Sequence, residues 1–298
     1  MRILITGSGG RIGRALTVRL AAAHQVEGLD RSPSSTVQHV GELGDAVLLA
    51  RALEGVEAVC HVAALHAPHV GWASEDEFRR INVEGTAALV EAARHAGVRR
   101  IVYTSSTAVY GRAATPDGRA GWVDEALVPE PETIYHRTKL EAEALLREAA
   151  LAGGPSLRIL RMSRCFPEPA PVMAVFRLHR GIDARDVAAA HALALTHAGP
   201  AHASFVVSGA TPFRREDAQD LWRDAPAVLA ERVPALVAAF SARDWPLPAS
   251  IDRVYDASMA QRELGWRPAH DWTEVLAEFD RGSAEVLPLR REFSVAAD

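Results

Sequence analysis

A tyrosine and a lysine, spaced four residues apart, are the first candidates for chemistry in this sequence. Tyr135 and Lys139 lie in the stretch TIYHRTKLE, and Lys139 is the single lysine among 33 Lys and Arg residues. On a helix these positions share a face, so the phenol and the ammonium are predicted to be neighbours. A free phenol titrates near pH 10, and an adjacent cation favours the phenolate. We predict that Tyr135 is a general acid or base activated by Lys139.

Four hydroxyl residues follow one apolar run and are the second candidates. The stretch IVYTSSTAVYG carries Thr104, Ser105, Ser106 and Thr107 where a predicted central strand ends. Open α/β sheets bind their ligands at the carboxyl ends of the strands. One of these hydroxyls is therefore expected to hydrogen-bond the reacting oxygen of a substrate, and at least two are expected to be strand-end caps.

A glycine-rich loop joins the first predicted strand to the first predicted helix. ITGSGGRIGRAL places Gly7, Gly10 and Gly13 there. Glycines at these positions allow a tight turn, so that backbone N–H groups and the helix N-terminus can hold a pyrophosphate. The loop predicts a dinucleotide site.

An acidic residue closes the second predicted strand at the spacing expected for such a site, about 20 residues on. Asp30 can accept hydrogen bonds from both hydroxyls of a ribose, whereas the adjacent Arg31 could pair with a 2′-phosphate. Because the Asp30 carboxylate would repel that phosphate, NAD is favoured over NADP.

The elements that must position these residues alternate between short apolar runs and longer amphipathic segments. Strands are predicted at 2–6, 26–29, 58–62, 100–104, 157–160 and 204–207. Helices are predicted at 11–23, 46–54, 75–96, 134–151 and 184–197. This alternation predicts an α/β fold, a Rossmann-type doubly wound parallel sheet.

The domain organisation follows from where the strand pattern fades. Residues 1–160, completed by 183–208, are predicted to form the dinucleotide-binding core. Segments 161–182 and 209–298 are predicted to form a small, mostly helical substrate-binding lobe and tail, because prolines separate helical patterns there.

Composition excludes several classes of function. The 298 residues are 48% hydrophobic and 24% charged, with a net charge of −5 and a pI near 6.2, and no basic tract marks a nucleic-acid partner. No apolar run is long enough to span a membrane, and no export signal is visible. Cys60 and Cys165 make neither a disulfide framework nor a metal site, so no metal and a cytoplasmic location are expected.

Together these residues resemble the extended short-chain dehydrogenase/reductases, the NAD-dependent epimerase/dehydratase family, over roughly residues 1–290. The matching motifs are the Thr-Gly-x-x-Gly-x-x-Gly loop from Thr6 to Gly13, HVAALH, INVEGT, TSSTAVYG, Tyr-x-x-x-Lys, DARDVAAAHALAL and ELGWRP. The resemblance implies that Tyr135 is the acid/base, Lys139 its activator and a ribose ligand, and Ser106 the partner of the substrate oxygen. It also implies a possible homodimer through helices 75–96 and 134–151.

The combined prediction for the cofactor is NAD. The predicted cofactor contacts are Gly7, Gly10, Arg11, Ile12, Gly13, Asp30, Arg31, Leu43, Val62, Ala63, Ala64, Asn82, Thr104, Tyr135 and Lys139.

Three functions are compatible with these residues. The favoured one is an oxidoreductase that transfers hydride between NAD and a secondary alcohol or carbonyl of a small sugar or sugar acid. An NAD-dependent sugar or nucleotide-sugar 4-epimerase is the alternative, and a non-catalytic NAD(P)-sensing protein is the third. The short, arginine-rich segment 161–180 favours a small anionic substrate, since it leaves little chain to wrap a nucleotide. The predicted substrate contacts are His66, Ser106, Thr107, His136, Arg164, Arg177 and Arg253.

Overall fold

The structure, a computed structural model that describes residues 1–289, is built on a seven-stranded sheet. Its strand order is β3-β2-β1-β4-β5-β7-β8, and every neighbouring pair is parallel. The strands of this sheet are β1 Arg2–Thr6, β2 Gln25–Asp30, β3 His39–Val40, β4 Ala58–His61, β5 Arg100–Ser106, β7 Ser156–Met162 and β8 His202–Val207. The predicted Rossmann-type doubly wound sheet is confirmed.

The α-helices of the described residues cover both faces of the sheet and build a separate small lobe. They are α1 Arg11–Ala21, α2 Ala46–Ala52, α3 Glu75–Arg79, α4 Gly85–His95, α5 Ile134–Leu151, α6 Ala170–His179, α7 Ala184–Thr196, α8 Ala218–Arg223, α9 Ala225–Arg232, α10 Pro234–Ser241, α11 Ser258–Glu263 and α12 Trp272–Asp280. One apolar cluster joins α1 and α7 to one face, and a second joins α2, α4 and α5 to the other. Because both faces are buried, the central strands are continuous apolar runs rather than alternating ones.

The long helix predicted at 75–96 is interrupted. A π-helical stretch, Arg80–Glu84, lies between α3 and α4 and turns Asn82 into the interior. The Asn82 amide accepts from the N–H of Leu65 at 2.7 Å and donates to the Leu65 carbonyl at 3.0 Å. Asn82 therefore binds the chain after β4 to this helix. Asn82 was predicted to contact the cofactor, but it does not line the cavity described below.

The small lobe has its own core and a two-stranded sheet. Strand β6, Gly121–Val123, pairs in parallel with β9, Arg253–Tyr255. The lobe core gathers side chains from α6, α8, α9, α10 and α12. Helix α6 lies within segment 161–182, which was predicted to belong to this lobe, and its alanines and apolar residues pack into the lobe core. The predicted domain boundaries stay predictions, and the end of the predicted tail, 290–298, lies outside the described residues.

No helix within residues 1–289 is both long enough and apolar enough to cross a membrane.

Candidate active site

A cavity of about 780 Å³ opens at the carboxyl ends of β1, β4, β5 and β7. It includes the gap between β1 and β4, where the chain reverses the direction in which strands are added and where open α/β sheets bind ligands. The predicted site residues that line it are Gly7, Gly10, Arg11, Ile12, Asp30, Arg31, Leu43, Val62, Ala63, Ala64, His66, Thr104, Ser106, Thr107, Tyr135, His136, Lys139, Arg164 and Arg253.

The glycine loop lies tightly between β1 and α1. Gly7 has φ +70°, and a Cβ atom there would come within 2.7 Å of the backbone nitrogen of Ala63. A Cβ atom on Gly13 would lie 2.2 Å from the carbonyl oxygen of Gly7. Gly13 thus permits close packing of α1 on the loop and does not itself line the cavity, unlike Gly7 and Gly10. This arrangement leaves the N-terminus of α1 open to a phosphate group.

Asp30 is held at the end of β2 by two backbone donors. Its Oδ2 accepts from the Gly9 N–H at 3.0 Å, and its Oδ1 accepts from the Ser32 N–H at 3.0 Å. Each carboxylate oxygen retains a lone pair for another donor. The carboxylate is therefore fixed where a ribose next to the glycine loop would lie. Its oxygens can accept hydrogen bonds from the ribose hydroxyls of a dinucleotide.

The chain after β4 forms one wall of the cavity. The hydroxyl of Thr6 accepts from the N–H groups of Val62 at 3.2 Å and Ala63 at 3.3 Å, which fixes this wall against β1. Leu43 also lines the cavity. It packs closely against Gly85, since a Cβ atom added to Gly85 would lie 3.1 Å from the Cβ of Leu43. These small and apolar side chains suit the flat faces of a base and a nicotinamide.

Tyr135 lies in the first turn of α5, where Thr133 caps the helix by accepting from the N–H of His136 at 3.3 Å. The Tyr135 side chain lines the cavity although the residue is only 8% exposed. Burial raises the pKa of its phenol, and a hydrogen bond with Ser106 partly opposes that rise. The phenol is therefore neutral near pH 7, where it can donate a proton.

The ammonium of Lys139 is bound to the backbone of β5. Its Nζ donates to the carbonyl of Thr104 at 2.7 Å and lies 4.1 Å from the ring centroid of Tyr103. Burial lowers the pKa of Lys139 from 10.5 to about 7, against the opposing effect of Glu143. A nearly inaccessible ammonium needs a strong acceptor, and the carbonyl on β5 satisfies it better than a neutral phenol.

Three hydroxyl residues at the carboxyl end of β5, Thr104, Ser105 and Ser106, have separate roles. The Thr104 hydroxyl bonds Nε2 of His191 at 2.7 Å, and the Ser105 hydroxyl donates to Glu143 at 2.6 Å. Both hydroxyls are thus held in the core, and Thr104 reaches the cavity beside Lys139. The Ser106 hydroxyl accepts from the Ala108 N–H at 3.1 Å, and its interaction with Tyr135 lowers the pKa of that phenol, so Ser106 is the hydroxyl placed next to the phenol.

The arginines of segment 161–180 are divided between the core and the cavity. Arg177 is 3% exposed and pairs with Asp183 at 3.0 Å, so it does not line the cavity, contrary to its predicted substrate contact. Arg161 is likewise buried, against Glu143. Arg180, one of the arginines of the anion-binding segment predicted from the sequence, lines the cavity together with Arg164 and Arg253.

Two imidazoles, His66 and His136, line the cavity near Tyr135. The backbone N–H of Glu132 donates to Nδ1 of His136 at 3.2 Å, which leaves Nε2 of that ring as a donor. The His66 ring packs edge-on against Phe166, with centroids 5.7 Å apart, and burial lowers its pKa to about 4. Both rings are neutral near pH 7 and can hydrogen-bond a polar ligand.

Several proteins of known description are similar to this chain. The NAD-dependent glucose-6-phosphate dehydrogenase of Haloferax volcanii is 29% identical over 163 residues, which cover 49% of this chain and 61% of that protein. The UDP-glucose 4-epimerase of Azospirillum brasilense is 27% identical over 318 aligned positions, 91% of this chain and 88% of that protein. A short-chain dehydrogenase/reductase superfamily protein from Agrobacterium tumefaciens with bound NAD has a TM-score of 0.70 at 25% identity, covering 93% of this chain and 95% of that one.

The extent of these matches limits what each relative shows. The chain spans between 32% and 61% of the length of the first five curated relatives that it matches. A family model, by contrast, matches residues 3–170, more than half of the chain, and this range includes the glycine loop, Ser106 and Tyr135. The chain belongs to the NAD dependent epimerase/dehydratase family.

Proposed function

We propose that this protein is an NAD-dependent oxidoreductase that acts on a secondary alcohol or carbonyl of a small sugar or sugar acid. The observation that carries the proposal is a single cavity with two differently equipped ends. The glycine loop and Asp30 line one end, and Ser106, Tyr135 and Lys139 line the other. A dinucleotide bound by its phosphates at the first end would extend toward the phenol at the second.

The chemistry divides between the cofactor and the side chains. A bound nicotinamide would supply the hydride acceptor. In oxidation, Tyr135 would first give up its own proton, and the resulting phenolate Oη would take the proton of the substrate hydroxyl while Ser106 Oγ holds the same oxygen in place. In the reverse direction the neutral phenol, whose pKa burial raises, is ready to donate that proton.

Lys139 would act on Tyr135 through electrostatics and through the ribose. Its Nζ holds one acceptor, the Thr104 carbonyl, and an ammonium has three donors in all. The remaining two can serve a ribose hydroxyl and the phenolate that forms when Tyr135 gives up its proton. A pKa of about 7 lets the lysine take part in moving that proton at neutral pH.

An excess of positive charge at the lobe side of the cavity favours an anionic substrate. Arg180 and Arg253 share one carboxylate, Asp252, with Nη to Oδ distances of 3.4 Å and 2.7 Å. Two guanidinium groups against one carboxylate leave one positive charge uncompensated within this trio. Guanidinium groups bind carboxylates and phosphates in bidentate geometry, so a sugar acid would find a partner here.

A redox-neutral epimerase is the second candidate. The similarity to the Azospirillum brasilense UDP-glucose 4-epimerase extends over 91% of this chain, which makes a nucleotide-sugar reaction a specific alternative. Both reactions would use the same phenol, serine and lysine, so these residues do not separate them. The product and the fate of the cofactor do.

A substrate screen tests the dehydrogenase proposal against the epimerase. We expect stoichiometric formation of NADH, measured at its absorbance band, with a uronate or similar sugar acid, and weaker activity with the neutral parent sugar, because Arg180 and Arg253 favour an anion. UDP- and dTDP-sugars are the comparison set. If one of them binds tightly and is converted to a configurational isomer with no free NADH, the dehydrogenase is wrong and the epimerase replaces it.

The cofactor preference depends on Asp30. We expect wild-type protein to bind NAD more tightly than NADP, because a 2′-phosphate would approach the carboxylate held by Gly9 and Ser32. Asp30→Ala should weaken NAD binding and narrow the preference, as measured by calorimetric titration of both cofactors. Arg31→Ala is the matched control, and it should weaken NADP binding more than NAD binding. Tighter binding of NADP than NAD by the wild-type protein would assign the ribose site to Arg31 instead.

A further inference from the structure

The first residue of α1 carries a guanidinium from the glycine loop into the cavity. Arg11 lines the cavity immediately after Gly10, the residue that precedes the helix. A pyrophosphate bound at the helix N-terminus would lie next to this side chain, and a guanidinium can bind it in bidentate geometry. Arg11 is thus placed to strengthen cofactor binding.

A carboxylate from the far end of the described chain already pairs with this arginine. Nη2 of Arg11 donates to Oε2 of Glu285, a residue 274 positions later. The other neighbour of the guanidinium is the thiol of Cys165, which is neutral because burial raises its pKa to about 11. Glu285 therefore supplies the negative charge in this contact.

Glu285 is held in place from both sides. Its N–H donates to the hydroxyl of Ser283 at 3.2 Å, Val286 is buried in the lobe core, and the N–H of Leu287 donates to the carbonyl of Glu168 at 3.0 Å. These contacts anchor segment 283–287 beside Arg11. The backbone that carries Glu285 is therefore anchored next to Arg11.

We propose that Glu285 competes with the cofactor pyrophosphate for Arg11 and keeps the dinucleotide exchangeable. The inference deepens the proposed function, on which it rests, because an enzyme with net oxidation must release reduced cofactor in every turnover. An epimerase recovers its oxidised cofactor in place and has no use for such a competitor. Glu285 is a positioning residue that acts on the cofactor through Arg11.

The expected size of the effect follows from the exposure of the pair. The Arg11 and Glu285 side chains are 24% and 51% exposed, so solvent screens part of their attraction. Pairs of this kind change an equilibrium by about two- to five-fold. A pyrophosphate, which carries more negative charge and also meets the helix N-terminus, can displace the carboxylate.

The test is a double-mutant cycle on cofactor affinity. Dissociation constants for NAD and NADH are measured by calorimetry, and the rate of NADH release by stopped-flow fluorescence, for wild type, Glu285→Gln, Arg11→Gln and the double variant. We expect Glu285→Gln to lower the dissociation constants for NAD and NADH by about two- to five-fold and to slow NADH release by a similar factor. Arg11→Gln should weaken binding, and adding Glu285→Gln to it should change nothing further.

Glu274→Gln is the matched control, because Glu274, on α12, pairs with Arg185 of α7 and with Arg281, and does not line the cavity. It should leave cofactor affinity unchanged, and melting curves should show that every variant folds. Unchanged or weaker NAD binding by Glu285→Gln would overturn the proposal. Cofactor affinity is measured without substrate, so the two proposals can fail separately. Failure of the substrate screen would reject the dehydrogenase activity, whereas tighter NAD binding by Glu285→Gln would still show that Glu285 competes for Arg11.

Discussion

Replacing Tyr135 with phenylalanine is expected to lower turnover by about 10²- to 10⁴-fold, the usual contribution of a positioned general acid or base. The ring of phenylalanine fills the same space at the head of α5, but it has no hydroxyl to exchange a proton with the substrate oxygen. NAD affinity should be unchanged, because Asp30 and the glycine loop lie at the other end of the cavity. Steady-state rates and NADH fluorescence titration measure the two quantities separately.

Tyr110→Phe is the control for this substitution. Tyr110 is also buried, but its hydroxyl accepts from Arg161 at 3.1 Å and it does not line the cavity. Loss of that hydrogen bond to a charged group should destabilise the protein by about 1.5–3 kcal/mol and leave turnover close to wild type. A Tyr135→Phe enzyme with a near wild-type rate would remove Tyr135 from the chemistry.

The sheet could be predicted from the sequence because its strands are buried on both faces. Runs such as Arg2–Thr6 and Ala58–His61 are short, apolar and separated by amphipathic helices, a pattern that few folds other than a doubly wound sheet produce. The two-residue strand β3 and the pairing of β6 with β9 have no comparable signal. Each depends on contacts between distant segments, and strands of two or three residues are too short to show a period.

The cofactor end of the cavity could also be predicted from the sequence, because the backbone sets its geometry. Only glycine tolerates the φ of +70° at Gly7 together with the 2.7 Å approach of Ala63, so the spacing of the loop is constrained by its shape. The substrate end depends on side chains whose direction the sequence does not encode. Arg177 and Arg180 are three positions apart, yet one pairs with Asp183 in the interior and the other lines the cavity.

Lys139 shows a similar limit at the centre of the site. Helix spacing correctly places it on α5 one turn after Tyr135, but a flexible side chain can reach several acceptors from one position. The acceptor it meets, the Thr104 carbonyl, belongs to β5 and becomes available only when sheet and helix pack together. The sequence predicted that Lys139 lowers the pKa of the Tyr135 phenol. In the structure the pKa of Tyr135 is raised and the pKa of Lys139 is lowered, both mainly because the groups are buried.

Lys139→Met is expected to lower turnover strongly and yet to raise the free energy of unfolding. Methionine has nearly the same length without the charge. A fall in the pKa of Lys139 from 10.5 to about 7 corresponds to on the order of 5 kcal/mol of unfavourable burial at about 1.4 kcal/mol per unit. Losing the hydrogen bond to Thr104 costs about 1–3 kcal/mol, so we expect the free energy of unfolding at pH 7 to rise by on the order of 2 kcal/mol.

The pH dependence of that gain identifies its cause. Between pH 7 and 10.5 the unfolded chain keeps the lysine protonated while the folded protein does not, so wild-type stability rises with pH across this range. The advantage of Lys139→Met should therefore be largest below pH 7 and shrink above it, as measured by urea unfolding from pH 6 to 9. Leu140→Met, a volume-conserving change on the same helix, should show no such trend. A Lys139→Met protein less stable than wild type at pH 6 would mean that the ammonium stabilises the fold, and that burial does not depress its pKa.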